Sequence, residues 1–296
     1  MVFLVTHITE YNYDDFVSYC HNIATLKPRS FEGQQLLDYH LEIEPIPVNI
    51  SEGTDFFGNN ITRFSIQELH KKLVVKTQSK VNRDVSSYQN SLFSDACRSI
   101  SVSEAISELT KIDSETLYAR QFMLESPLIR KVVNDIKEYA SVSFSPNRSV
   151  FDASRELMER IYTDFEFLTG FTNVATPLND VIKDRKGVCQ DFAQVAIACI
   201  RAMGLPARYV SGYIETIPPP GKPKLVGADA SHAWFSVYIP GYGWADFDPT
   251  NNQIPSDRHI VLAWGRDYFD VPPLKGVIYT NGKNSMKVSV DIHALL

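Results

Sequence analysis

An α+β fold in two parts is predicted by three features of the sequence. Up to about Lys80 the pattern is short alternating or β-branched runs with turn punctuation, next comes a polar stretch of weak periodicity, and then helical segments give way to strands. The 296 residues suffice for about two domains, each able to bury a core. With 44% hydrophobic and 22% charged residues the chain reads as globular, and its apolar runs fall short of the about 20 residues that span a bilayer. A net charge of -6 supplies no broad basic footprint, so neither nucleic acid nor an anionic membrane is an expected partner. The start, Met1-Val-Phe-Leu-Val-Thr-His7, has no basic region and no cleavage site, which leads to a cytoplasmic expectation. Four irregularly spaced cysteines, Cys20, Cys97, Cys189 and Cys199, read as free thiols rather than a disulfide framework or a zinc site.

The strands expected first are Phe3–Ile8, Leu41–Glu44, Asn60–Ile66 and Lys72–Thr77, broken by Pro45, Pro47, Gly53 and Phe57-Gly-Asn-Asn60. They predict an antiparallel sandwich-like domain over residues 1–85. Residues 86–113, rich in Ser and Asn, read as a linker, and residues 114–296 as the second domain. Helical character follows from Ser114 to Tyr139. Ser149 opens a further helix whose Leu157, Met158, Ile161, Tyr162 and Phe165 make one apolar face. Thr176 suits an N-cap, Pro177 a first helical position and Gly187 a stop, which bounds a short helix. Cys189 then opens a helix with Phe192, Ala193, Ala196, Ile197, Ile200 and Met203 on one face, ended by Gly204-Leu-Pro206. Arg208–Glu215 and His232–Ile239 alternate as strands, and Pro240-Gly-Tyr-Gly243 turns the chain into Trp244–Asp248.

Chemistry concentrates at the start of that buried helix. A thiol in a first turn lies near the positive end of the helix dipole and beside unpaired backbone N–H groups, which favours thiolate and offers oxyanion donors. Gly187 before it is expected to leave room for a close approach. The hairpin supplies a base. With its loop at Ile239–Gly243, Tyr238 faces Trp244, Ser236 faces Asp246 and Trp234 faces Asp248. His232 and Asp248 then become diagonal neighbours about 7 Å apart, close enough for the carboxylate to hold the imidazole, whereas Asp246 lies a step nearer the turn.

Gly187-Val-Cys-Gln-Asp-Phe192, Ser231-His-Ala-Trp234 and Trp244-Ala-Asp-Phe-Asp-Pro-Thr250 resemble, in order, the three motif blocks of the transglutaminase-like superfamily. The resemblance extends to Met203-Gly-Leu-Pro-Ala-Arg-Tyr-Val-Ser-Gly-Tyr213, to Gly265–Asp270 and to Pro272–Gly276. Phe57-Gly-Asn59, Leu69-His70 and Leu26-Lys-Pro-Arg29 resemble the β-rich region that precedes this core in bacterial members. The resemblance implies a papain-like core in which Cys189 is the nucleophile, His232 the general base and acid, and Asp248 the residue that orients His232. It implies a cysteine protease or amidase working through a thioester on a peptide or protein amide. The alternatives are a protein-glutamine transglutaminase and a non-catalytic peptide-binding module on the same fold. Gln190 follows Cys189 where the crosslinking members carry Trp, which weighs against crosslinking.

No cofactor or metal is expected: no calcium loop of the D-x-D-x-D-G kind occurs, and His7, His21, His40, His70, His259 and His293 lack ligand spacing. Asp191 is a candidate supporting hydrogen-bond acceptor, while Tyr213 and Trp234 either wall a groove or pack. The proline-rich loop Ile217–Gly227 is placed to overhang the site. Oligomeric state is not legible in the sequence.

Overall fold

Phe3, Val5, His7 and Thr9 are buried while their neighbours are partly open, the period-two signature of a strand with one face on a core. The computed structural model in which this is seen describes residues 1–92, 94–130, 134–216 and 230–295. Six strands come first: β1 (Val2–Val17), β2 (Tyr19–Ala24), β3 (Gln34–Glu44), β4 (Asn49–Thr54), β5 (Asn60–Ile66) and β6 (His70–Arg83). Three short helices follow, α1 (Ser86–Leu92), α2 (Asp95–Arg98) and α3 (Val102–Glu108), and then α4 (Ser114–Arg120), α5 (Asn134–Ser141) and α6 (Val150–Asp164). A two-residue strand β7 (Glu166–Phe167), helix α7 (Leu178–Asp184) and strand β8 (Lys186–Gly187) lead into α8 (Cys189–Ala202). The chain closes with β9 (Ala207–Ile214), β10 (Ala230–Ile239), β11 (Gly243–Phe247), β12 (His259–Gly265), β13 (Leu274–Tyr279) and β14 (Asn284–Leu295).

These strands build three four-stranded antiparallel sheets, ordered β14-β1-β6-β3, β13-β2-β5-β4 and β11-β10-β9-β12. The first two share a core of Tyr13, Val17, Leu26, Ile43, Phe64, Ile66, Leu73 and Val75. This is the expected sandwich, and the fold is α+β as the pattern predicts.

The division of the chain differs from the expected one in two ways. Residues 86–113 are a packed part of the fold: Leu92, Cys97, Val102, Ala105 and Leu109 are buried in the same core as α8. Their weak periodicity reflects helices of only four to seven residues, each too short to repeat a face. Ser101 and Glu104 close a capping box that starts the third of them. The second difference is that β13 and β14, late in the chain, complete the two N-terminal sheets by pairing with β2 and β1. Phe3, Val5 and Val81 in turn enter the α8 core, so the two parts share apolar interior.

Local signals fared better around α8. Ser149 caps α6 through the Asp152 N–H, and Leu157, Met158 and Ile161 are buried on its face, while Tyr162 is exposed. The helix α7 begins one residue later than expected, with Pro177 at the N-cap, and ends at Arg185 in the left-handed conformation (φ 52°) rather than at Gly187. Gly204 (φ 79°) terminates the chain segment after α8. Among the described residues no helix is long and apolar enough to cross a membrane.

Candidate active site

Cys189 is the first residue of α8 and is half-buried against the apolar core. The segment before it is fixed by Asp191, whose carboxylate accepts the Val188 N–H at 2.8 Å and the Thr172 hydroxyl at 2.6 Å. Burial of Asp191 pushes its carboxyl upward from the usual range. A Cβ at Gly187 would lie 2.6 Å from Asp191 Oδ2, so glycine is required there to seat this carboxylate. Asp191 is thus the supporting acceptor, and Gly187 makes room for it rather than for a close approach at the thiol. The Asp191 and Phe192 N–H groups return to the Val188 carbonyl, whereas those of Cys189 and Gln190 find no acceptor among the described residues. Among the described residues two unpaired donors therefore flank the thiol.

The hairpin has the expected register, with Ile239 opposite Gly243, Tyr238 opposite Trp244 and Ser236 opposite Asp246. Asp248 lies just beyond β11, in a bridge with Gln253. Its Oδ2 is 2.8 Å from His232 Nε2, and both side chains are buried. The Cys189 thiol lies close enough to His232 to raise its pKa. With Nε2 occupied by Asp248, Nδ1 is the ring atom left for the sulfur. Burial draws the His232 pKa down, but the influence of Asp248 and Cys189 outweighs it and raises it to about 10. Asp248 is held well below the usual carboxylate range by its bonds to His232 and His259 despite burial. The structure thus brings together all three residues singled out in the sequence.

Two further residues meet at Asp248. His259, the first residue of β12, lies 3.1 Å from Oδ2 through Nε2, while its Nδ1 accepts the Ser256 N–H at 3.1 Å. That acceptor role assigns the proton to Nε2, so His259 donates to Asp248 as a neutral ring. Burial, its largest influence, lowers its pKa and keeps it neutral. Asn251 Nδ2 donates to the same Oδ2 at 2.7 Å. Oδ1 accepts the N–H groups of Thr250 at 3.0 Å and Asn251 at 3.3 Å, an Asx-type turn. Five donors thus hold one carboxylate. The Asp-Pro-Thr-Asn order could have signalled Asn251 through that turn, but nothing local marks His259, which reaches Asp248 by tertiary packing alone. His232, Asp248 and His259 offer ligand-type atoms within 4.8 Å of one another, the one such set among the described residues. The same atoms form a hydrogen-bond network in which His232 and His259 each meet Oδ2 through Nε2.

Packing keeps β12 where His259 needs to be. A Cβ at Gly212 would meet Trp234 at 2.6 Å, so its absence lets the indole lie across β9 with its ring 5.3 Å from that of His259, edge to face. The outer edge of β12 is covered by side chains of the N-terminal part. Gln34 exchanges two hydrogen bonds with the Val261 backbone (2.7 and 2.8 Å), Asn59 two with Trp264 (2.8 and 2.9 Å), and Arg83 Nε donates to the His259 carbonyl at 2.9 Å. Trp234 and Tyr213 are fully buried packing residues, Tyr213 bonding His7 at 3.0 Å, and neither walls a groove. The loop Ile217–Gly227 lies outside the described residues.

Residues 138–249 match the transglutaminase-like superfamily, and residues 3–82 match the bacterial transglutaminase-like N-terminal region. An uncharacterized protein of Mycobacterium tuberculosis is 40% identical over 301 residues, covering 97% of this chain and 91% of its own. A protein-glutamine gamma-glutamyltransferase of Pseudomonas aeruginosa is 36% identical over 125 residues, which are 40% of this chain and 19% of that one. In structure the chain is similar to a candidate cysteine protease from Cytophaga hutchinsonii, with a TM-score of 0.75 at 24% identity, covering 100% of this chain and 91% of the other. The motif blocks, the sandwich before them and the three-sheet architecture agree with these likenesses: the chain belongs to the transglutaminase-like superfamily.

Proposed function

We propose that the protein is a thiol-dependent amide hydrolase, a protease or amidase, in which Cys189 is the nucleophile, His232 the general base and acid, and Asp248 the residue that orients His232. The observation that carries this reading is the placement of one imidazole between the Cys189 thiol and a carboxylate saturated by five donors. His232 Nδ1 takes the thiol proton, and the resulting thiolate attacks the amide carbon. The oxyanion formed faces the free N–H groups of Cys189 and Gln190. As the C–N bond breaks, the imidazolium returns its proton to the departing amine, which leaves a thioester on Cys189. Water then attacks that carbonyl, giving its proton to Nδ1, and the tetrahedral intermediate collapses to carboxylic acid and free thiol. Asp248 keeps the Nε2 proton in place and offsets the imidazolium charge, and His259 and Asn251 are positioning residues for Asp248.

A peptide or protein amide is the substrate class in this reading, with no cofactor required. A cytoplasmic setting accords with four free thiols and no disulfide among the described residues. Alkylation with iodoacetamide tests the proposal. Burial pushes the Cys199 and Cys97 thiols up to about 12 and raises that of Cys20, so all three should label slowly. Cys189 should label far faster, and His232→Ala should remove that advantage. Equal, slow labelling of Cys189 and Cys199 would instead identify a peptide-binding module that has lost turnover.

A further inference from the structure

On the face of the catalytic sheet that carries His232, and toward the hairpin end away from it, a cavity of about 590 Å³ opens between the sheet, α1 and the N-terminal part. This is the size range of small-molecule sites, and a junction between structural units is where they concentrate. Its walls include Arg208 of β9, Asp246 and Trp244 of β11, Tyr242 of the hairpin loop, and Arg83 and Tyr88. Register puts Arg208 opposite Ser236 and Ser236 opposite Asp246, so the three form one row across three strands.

Arg208 is only 8% exposed, yet it makes no hydrogen bond or ion pair among the described residues, and its Nε is fully buried without a partner. Its guanidinium lies between the indoles of Trp244 and Trp264, 4.3 and 4.0 Å from their centroids. Cation–π contact with two indoles holds the guanidinium in place, and its N–H donors are left without a hydrogen-bond partner among the described residues. Burial lowers its pKa to about 10, which still leaves it cationic at neutral pH. Asp246 shows the complementary deficit. Among the described residues its Oδ1 is buried with no donor, its Oδ2 has only the 3.4 Å contact with Trp234 Nε1, and it forms no ion pair with Arg208. Arg208 and Asp246 attract one another without touching, and their hydrogen-bonding atoms left unmet on the wall of one cavity are costly unless a third body pairs with both.

We propose that this cavity binds a free α-amino acid, whose carboxylate takes the in-plane donors of Arg208 and whose ammonium donates to Asp246. A planar carboxylate is the anion that a guanidinium fork matches in two parallel hydrogen bonds. The site is separate from Cys189, and this inference does not depend on the hydrolase reading.

All three tryptophans of the chain, Trp234, Trp244 and Trp264, contact Arg208, Asp246 or their neighbours, so intrinsic fluorescence reports occupancy. The full-length protein is titrated with a panel of free amino acids, their N-acetyl derivatives, their amides, and dipeptides. A saturable change is expected with a free amino acid, with the N-acetyl and amide forms each weaker by about tenfold or more, since each loses one charged hydrogen-bonding group. Blocking Cys189 with iodoacetamide should leave this binding unchanged. Asp246→Asn should erase the preference over the N-acetyl form, and Arg208→Gln the preference over the amide. Tighter binding of dipeptides with the same two preferences would place the carboxylate and ammonium of a short peptide in the cavity and overturn the free amino acid as ligand. No saturable response, or equal affinity for the free, acetylated and amidated forms, would overturn the site itself, whether or not the Arg208 variant folds.

Discussion

Deleting residues 1–113 removes more than a neighbouring domain. Phe3, Val5 and Val81 from the first strands, and Leu92, Val102 and Leu109 from the short helices, are each at most 4% exposed in the core that also holds α8. At about 1.5–3 kcal/mol per buried side chain of this kind, their loss amounts to on the order of 10 kcal/mol. That is comparable with the whole stability of a typical domain, about 5–15 kcal/mol. The cut also strips β14 of its partner along the register from Val2 opposite Leu295 to Tyr13 opposite Asn284, and β13 of β2. A fragment of residues 114–296 is therefore expected to show no cooperative thermal transition by circular dichroism, and to label Cys189 and Cys199 at similar rates. In the full chain, Phe3→Ala alone should cost about 3–5 kcal/mol, read as a lowered denaturant midpoint. A sharp melt of the fragment, with Cys189 still selectively reactive, would refute the shared core.

The remaining expectations concern the site and pH. Asp248→Asn should reduce turnover by about two to four orders of magnitude and also lower the denaturant midpoint, because the buried charge that pairs with His232 is lost, whereas Asp246→Asn should cost turnover far less; the reverse order in a hydrolysis assay would reassign the carboxylate. His259→Leu removes one of three donors to Asp248 Oδ2, worth about 1.5–3 kcal/mol, so kcat should fall by about 10- to 100-fold at unchanged KM and with a shifted pH profile, and His259→Gln should recover part of it. A proportional rise in KM would argue against a positioning role. His7 is buried and its pKa is lowered to about 4, so it is neutral in the folded state and its contribution is present above about pH 6.5. As pH falls from 6.5 towards 4, up to about 3 kcal/mol should be lost, and thermal unfolding of His7→Gln should depend less on pH across that window. His232 has the opposite sign: its raised pKa makes the pair with Asp248 stabilising at neutral pH and weaker as pH rises through about 10.

Where geometry is local, the sequence carries it. A tight hairpin loop pins the register of β10 and β11, so the approach of His232 and Asp248 follows from counting residues on two strands. The start of α8 is marked by an apolar face beginning at Phe192, and the thiol falls at its first position by the same count. Readings failed where a partner lies far along the chain. Nothing near Leu274 or Asn284 indicates that those strands complete sheets begun by Tyr19 and Val2. The Ser- and Asn-rich run after Asp84 is helical because Leu92, Cys97 and Val102 find a core, a tertiary gain that outweighs poor propensity. β4 was missed for a related reason, since it is exposed throughout and shows no alternation of buried positions. His259 is not legible in the sequence because its partner Asp248 lies just past β11, a strand that is not the neighbour of β12 in the sheet.

Mass spectrometry of intact protein, quenched with acid during turnover of a peptide and amide library, looks for the thioester itself. An added acyl mass is expected that maps to the peptide containing Cys189, is released by hydroxylamine as a thioester would be, and is absent from Cys189→Ala. Hydrolysis of an amide with no such adduct in the wild type, or an adduct that persists in Cys189→Ala, would contradict a thioester on Cys189.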